Sequence, residues 1–227
     1  MNYEQARFNM IEQQIRPWEV LDNQILSLLA IIKREDFVPL ARRALAFVDM
    51  EIPLTDDLQA RPGQCMLSPK VEARLLQDLA VQKRETVLEI GTGSGYMAAL
   101  LGHRGRHVTT LEIDPTLAAT ARINLQRAGV INAEVVVADG AATLPASGAL
   151  ADSFDVIVLS GSVAAVPQSL LARLKIGGRL SAIVGSQPMM RATLVTRVAD
   201  DAWRTTQAWD TVAPRLLNFP EPSKFVF

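Results

Sequence analysis

The 227-residue chain predicts a doubly wound α/β fold: a mostly parallel seven-stranded sheet with helices before it and an antiparallel hairpin at its end. Three observations carry that expectation. From residue 86 onward, short apolar runs alternate with helical stretches, as a parallel sheet covered on both faces requires. The first of those runs enters Glu89-Ile90-Gly91-Thr92-Gly93-Ser94-Gly95-Tyr96, a turn on three glycines that leaves a strand and opens a helix. Residues 192–198 and 203–212 alternate in polarity about Ala199-Asp200-Asp201-Ala202, the pattern of a hairpin.

In chain order, the first 60 residues read as helical. Phe8, Ile11 and Ile15 stand at helix spacing and Pro17 ends that segment. Asp22 caps a second helix that turns Leu26, Leu29, Ala30 and Ile32 toward a core. Residues 55–63, rich in polar residues and closed by Pro62-Gly63, read as an exposed loop. Ser68-Pro69 opens the next helix, with Leu75, Leu76 and Leu79 as its buried stripe; serine suits the N-cap and proline the first turn, where its missing N–H has no partner anyway. Strands are then expected at 86–90, 107–113, 134–138, 154–159 and 179–184, and helices at 96–101, 115–128 and 166–174. Such crossovers are right-handed. The chain divides into residues 1–68, a helical and loop region covering the active site, and residues 69–227, the ligand-binding domain.

Composition excludes several classes. A formal net charge of -1, with 21% charged residues, shows no basic excess of the kind a nucleic-acid surface carries and disfavours such a substrate. The single cysteine, Cys65, rules out an internal disulfide framework and fits a reducing cytoplasm. No signal peptide and no membrane-length apolar run is evident. His103 and His107 are separated by Gly105 and read as surface or strand-edge residues, so no metal site is expected.

The chemistry lies in the glycine turn and its neighbours. Gly91, Gly93 and Gly95 permit positive φ and close approach of a ligand to the backbone. Their spacing is G-x-G-x-G, not the G-x-G-x-x-G that supports a pyrophosphate. Glu89 would repel a pyrophosphate but tolerate the sulfonium and ammonium groups of S-adenosyl-L-methionine. Glu112, 21 residues after Gly91 at the end of the second strand, suits two ribose hydroxyls. Asp139-Gly140, after the third strand, suits an adenine, although an ordinary Asp-Gly turn has the same pattern. With Thr92, Ser94, Tyr96, Ile113 and Ser160, these residues form the expected cofactor-binding set. Asp155, near the start of the fourth strand, reads as structural, as does the segment 174–180. A mostly parallel sheet ending in a hairpin resembles the class I methyltransferase fold more than a dinucleotide-binding dehydrogenase.

Several segments narrow that likeness to one family. Met10-Ile11-Glu12-Gln13-Gln14-Ile15-Arg16, Lys33-Arg34-Glu35-Asp36-Phe37-Val38-Pro39, the cofactor turn and residues 174–185 resemble the protein-L-isoaspartate O-methyltransferases, over roughly residues 8–185. The resemblance implies transfer of a methyl group from S-adenosyl-L-methionine to carboxylates of damaged aspartyl residues, a protein-repair reaction, with S-adenosyl-L-homocysteine as product. It also implies a damaged protein or peptide as partner and a cytoplasmic setting. The family carries a T-I-S-Q-P-like segment whose serine lies at the reaction centre. Aligned on Pro69 and Ala73, Cys65-Met66-Leu67-Ser68-Pro69 puts Leu67 at that serine and Ser68 at the glutamine. Ser68 is then either a shifted catalytic residue or a plain helix cap. Cys65 reads as a packed thiol. The loop at 55–62 and the segment 214–227 depart from the family pattern and are expected to touch the acceptor. The alternatives are a methyltransferase with another protein or small-molecule acceptor, a cofactor-binding module without transfer, and, least consistent with the glycine spacing, a nicotinamide-dependent oxidoreductase.

Overall fold

The computed structural model describes residues 2–55, 63–142, 150 and 153–221. Seven strands form the main sheet: β1 (Thr86–Ile90), β2 (His107–Glu112), β3 (Ala133–Val137), β4 (Phe154–Val163), β5 (Leu174–Ser186), β6 (Met189–Ala199) and β7 (Ala202–Thr211). Their order is β3-β2-β1-β4-β5-β6-β7. The first five are parallel, and β5, β6 and β7 form an antiparallel meander. The order reverses between β1 and β4, so a crevice opens beyond the carboxyl ends of those two strands.

The helices are α1 (Tyr3–Met10), α2 (Asn23–Ile31), α3 (Pro69–Leu79), α4 (Tyr96–Arg104), α5 (Pro115–Arg127) and the single turn α6 (Gln168–Leu171). Strand alternation splits the core. Val87, Val156 and Val158 face a cluster shared with α1 to α5, while Leu88, Ile90, Ile157 and Leu159 face the α6 side. The N-terminal region packs into the first of these clusters through Met10, Ile15 and Ile25.

Several sequence expectations need correction. Phe8 and Ala30 are exposed, and Ile25 and Leu28 take buried positions instead. The first 60 residues are not helical throughout: Ile52–Pro53 pairs antiparallel with Cys65–Met66. The helix expected at 166–174 is one turn, because Leu174 pairs with Phe154 and already belongs to β5. A register shift and Gly177 at φ +82 carry β5 through what reads in sequence as a helix stop. Asp22 caps α2 as expected, accepting from Gln24 N. Ser68 stands at the N-cap of α3, but its side chain makes no cap bond. Most of the loop at 55–62 lies outside the described residues. Asp155 is a structural clasp: it accepts from Thr86 N, Thr86 Oγ1 and Lys175 Nζ.

Candidate active site

The glycine turn takes its shape from β2. Gly91 N and Thr92 N donate to Leu111 O, and Gly93 N donates to Glu112 Oε2 at 2.8 Å. Glu112 Oε1 accepts from Asp114 N. Burial raises the Glu112 pKa, against these backbone donors. The carboxylate expected to meet ribose thus also latches the turn. Gly91, Gly93 and Gly95 have φ of +95, +53 and +86, the left-handed region where a Cβ is strained. Gly140 is demanded by packing: a Cβ there would lie 2.4 Å from Ile90 Cγ2.

Beyond these ends lies a cleft spanning about 730 Å³, part of it open to solvent. Of the expected cofactor residues, Gly91, Gly93, Glu112, Ile113, Asp139, Gly140 and Ser160 line it. Its polar and glycine edges suit an adenosine: a carboxylate at a strand end, an aspartate after β3, and a backbone that close approach requires. The C-terminal segment supplies another wall, through Arg215, Leu216, Leu217 and Phe219. Leu216 packs against the glycines, its Cδ2 lying 3.0 Å from where a Cβ on Gly91 would stand. Ser162 N donates to Pro214 O and Leu216 N to Ser162 O, which stitches the segment to β4. Asn218 Nδ2 donates to Asp139 Oδ2 at 2.7 Å. Residues 214–219, expected to touch the acceptor, therefore border the cofactor cleft. Nothing in their local pattern signals this, because long-range pairing with β4 places them.

A second, much smaller inner chamber adjoins the cleft and shares Cys65, Gly91, Gly93 and Ser160 with it. Glu89, Thr92, Ser94 and Tyr96 line this chamber rather than the outer cleft. Glu89 is fully buried and accepts from Thr110 Oγ1 and Ser160 Oγ, both at 2.7 Å. Burial pushes its pKa up to about 8, against those two hydroxyls. Tyr96 is buried, and its hydroxyl has no hydrogen-bond partner among the described residues. Gly95 lines neither cavity. It lets α5 approach, since a Cβ would meet Ala121 at 3.3 Å.

The acceptor side departs furthest from sequence reasoning. Ser68 lines neither cavity, whereas Leu67 and Cys65 do line the chamber. Burial, with Glu51 alongside, pushes the Cys65 thiol to about 12, which fits an inert packed thiol rather than a nucleophile. Glu72, one turn along α3, faces the chamber as well. It pairs with the fully buried Arg34, which also donates to Leu67 O at 2.6 Å and lies over the Tyr96 ring. Sequence reasoning missed Glu72; the only hint was a carboxylate among the apolar positions of a helix. No helix among the described residues is long and apolar enough to cross a membrane.

Comparisons with known proteins agree with this architecture. The family model of protein-L-isoaspartate(D-aspartate) O-methyltransferase matches residues 5–212. A protein-L-isoaspartate O-methyltransferase of Koribacter versatilis is 36% identical over 201 residues, covering 88% of this chain and 85% of that one. One of Methanoculleus marisnigri is 38% identical over 179 residues, covering 79% and 77%. For the fold alone, a Plasmodium falciparum structure described as a protein-L-isoaspartate O-methyltransferase in complex with S-adenosyl-L-homocysteine superposes with a TM-score of 0.76. It is 15% identical and covers 95% of this chain and 98% of that one. With a strand order, a latched glycine turn and a sequence match that all concur, the chain belongs to the protein-L-isoaspartate(D-aspartate) O-methyltransferase family.

Proposed function

We propose that the protein methylates the carboxylates of isoaspartyl residues in damaged proteins or peptides, using S-adenosyl-L-methionine. One observation carries this reading: the cleft suited to the cofactor and the inner chamber share Gly91, Gly93 and Ser160, so donor and acceptor meet at the end of β1 and β4. When bound, the cofactor supplies an electrophilic methyl group on a cationic sulfur, which becomes a neutral thioether on transfer.

The chain's own residues do the rest. Glu112 receives the ribose hydroxyls while holding Gly93, and Asp139 with Gly140 flanks the adenine. Gly91, Gly93 and Ser160 form the shared wall. Glu89, seated by Thr110 and Ser160, sets its carboxyl oxygens on the sulfonium side, and the cationic sulfur favours its ionised form. No general base is needed, because the acceptor carboxylate is ionised near neutral pH. Alignment and exclusion of water are the main tasks, to which Leu54, Cys65 and Leu67 contribute by lining the two cavities.

A second reading, the same cofactor with an uncharged acceptor, is favoured by the two carboxyls, Glu72 and Glu89, that the chamber already holds. A transfer assay with an isoaspartyl peptide and its aspartyl counterpart separates the two. Methylation of the isoaspartyl peptide alone is expected. Cofactor binding with transfer to neither peptide would favour the second reading.

A further inference from the structure

The inner chamber presents a carboxylate acceptor with an electrostatic problem. Glu72 and Glu89 both line it, and a further negative charge beside these buried carboxyls is costly. The two acids differ in what they have left to offer. Both oxygens of Glu89 are occupied, Oε1 by Ser160 and Oε2 by Thr110. Glu72 meets Arg34 through Oε2, and its Oε1 has no hydrogen bond among the described residues. Tyr96 lines the same chamber, and its hydroxyl is buried and unpartnered among those residues. The chamber is otherwise walled by apolar or occupied groups, Leu67 and Met97 among them. The position that would suit a hydroxyl on the preceding loop holds Leu67, whose side chain is part of the core.

We propose that Glu72 is the acceptor-binding residue of the chamber: it takes up a proton as the isoaspartyl carboxylate enters and donates that proton, through Oε1, in a hydrogen bond to one acceptor oxygen. The other oxygen is left to face the methyl group, and the Tyr96 hydroxyl adds a second donor. The proton remains on Glu72 during transfer, so the carboxylate supplies the nucleophilic electron pair without acid–base exchange. This assignment rests on the isoaspartyl reading above.

The surroundings of Glu72 support the uptake. Arg34 faces it from the turn after α2, with the Arg7–Glu35 pair behind. Tyr96 faces it from α4, Glu89 from β1 and Cys65 from the short ladder. Only Arg34 favours the ionised form at close range. Burial outweighs it and pushes the Glu72 pKa up to about 7, so a further anion needs little to complete protonation.

The test is calorimetric binding of an isoaspartyl peptide to the protein saturated with S-adenosyl-L-homocysteine, in buffers of different ionisation enthalpy. At about pH 8, uptake of roughly one proton per peptide is expected, vanishing toward about pH 5, where Glu72 is already protonated. In a Glu89→Gln background, which removes the other chamber carboxyl, Glu72→Gln keeps a donor but has no site for the proton, so it should bind the peptide with no uptake and with an affinity that no longer falls as pH rises. Should that variant fail to fold, the uptake retained by Glu89→Gln alone, and its loss toward about pH 5, still decides. Peptide binding without proton uptake, or equal uptake when Glu72→Gln is added to Glu89→Gln, overturns the assignment while leaving the isoaspartyl reading intact. Absence of both binding and transfer for the isoaspartyl peptide in the unmodified protein overturns both.

Discussion

The glycine turn between β1 and α4 is one continuous stretch, residues 89–96, held by Leu111 O and the Glu112 carboxyl of β2. The chamber beside it is assembled from Cys65, Leu67, Glu72, Glu89, Tyr96 and Ser160, with Arg34 behind. The first is a backbone device, in which left-handed φ values and N–H donors do the work whatever ligand arrives. The second is a side-chain device held by an ion pair, Arg34–Glu72, and by a carbonyl of the loop it supports. A backbone device survives divergence at most neighbouring positions. A side-chain device can exchange a hydroxyl on a loop for a carboxyl on a helix and keep a polar group in the same space. That contrast explains why the cofactor wall follows the family pattern while the acceptor wall departs from it.

The largest effect should come from the acceptor wall. Arg34→Ala removes the partner of a buried carboxylate and the donor to Leu67 O. Breaking such a pair costs about 3–5 kcal/mol, to be read from denaturant unfolding. A loss below about 1 kcal/mol would show that the pair does not hold this wall.

The two walls also differ in their proton linkage. In the folded protein Glu72 is raised from 4.5 to about 7 and Glu89 from 4.5 to about 8, burial being the leading cause for both. The folded state therefore holds protons that the unfolded chain releases. Their stabilising contribution is complete below about pH 4.5 and is lost as pH rises, up to about 7 for Glu72 and about 8 for Glu89. Each carboxyl sets a slope of at most about 1.4 kcal/mol per pH unit. Unfolding of the cofactor-free protein at constant ionic strength should show stability falling across that window. Glu89→Gln should flatten its upper end, and a pH-independent stability from 5 to 8 would contradict both assignments.

On the cofactor wall, Glu112→Ala should weaken S-adenosyl-L-methionine binding by roughly 1–3 kcal/mol. It strands ribose hydroxyls and frees Gly93 N from its acceptor. Calorimetry at fixed pH checks this, and unchanged affinity in a folded variant would reduce Glu112 to a latch without a ligand.

The smallest effect is expected at the boundary between the walls. A working serine cap is worth about 1 kcal/mol, but Ser68 makes no cap bond and lines neither cavity. Ser68→Ala should stay within about 0.5 kcal/mol of the parent and leave turnover nearly unchanged. A tenfold or larger fall in rate would instead return Ser68 to the reaction centre.

What the sequence alone determined is whatever repeats locally. Alternating apolar runs, the Asp22 cap and the three glycines specify strands, a helix start and a turn. Their succession determines a parallel sheet, and with it a crevice at the reversal of strand order. Gly91, Gly93, Glu112, Ile113, Asp139, Gly140 and Ser160 line that crevice because they lie at or just beyond strand ends whose place in the sheet follows from that order. Only the tertiary structure decided which of them face which cavity. Alternation along β1 turns Glu89 toward α3 and α4, away from Ile90. Contacts across long separations seat Leu216 on Gly91 and join Asn218 to Asp139. The Glu72–Arg34 pair spans 38 residues. No local pattern records such pairings, because their energy depends on shared burial, which arises only when distant segments pack together.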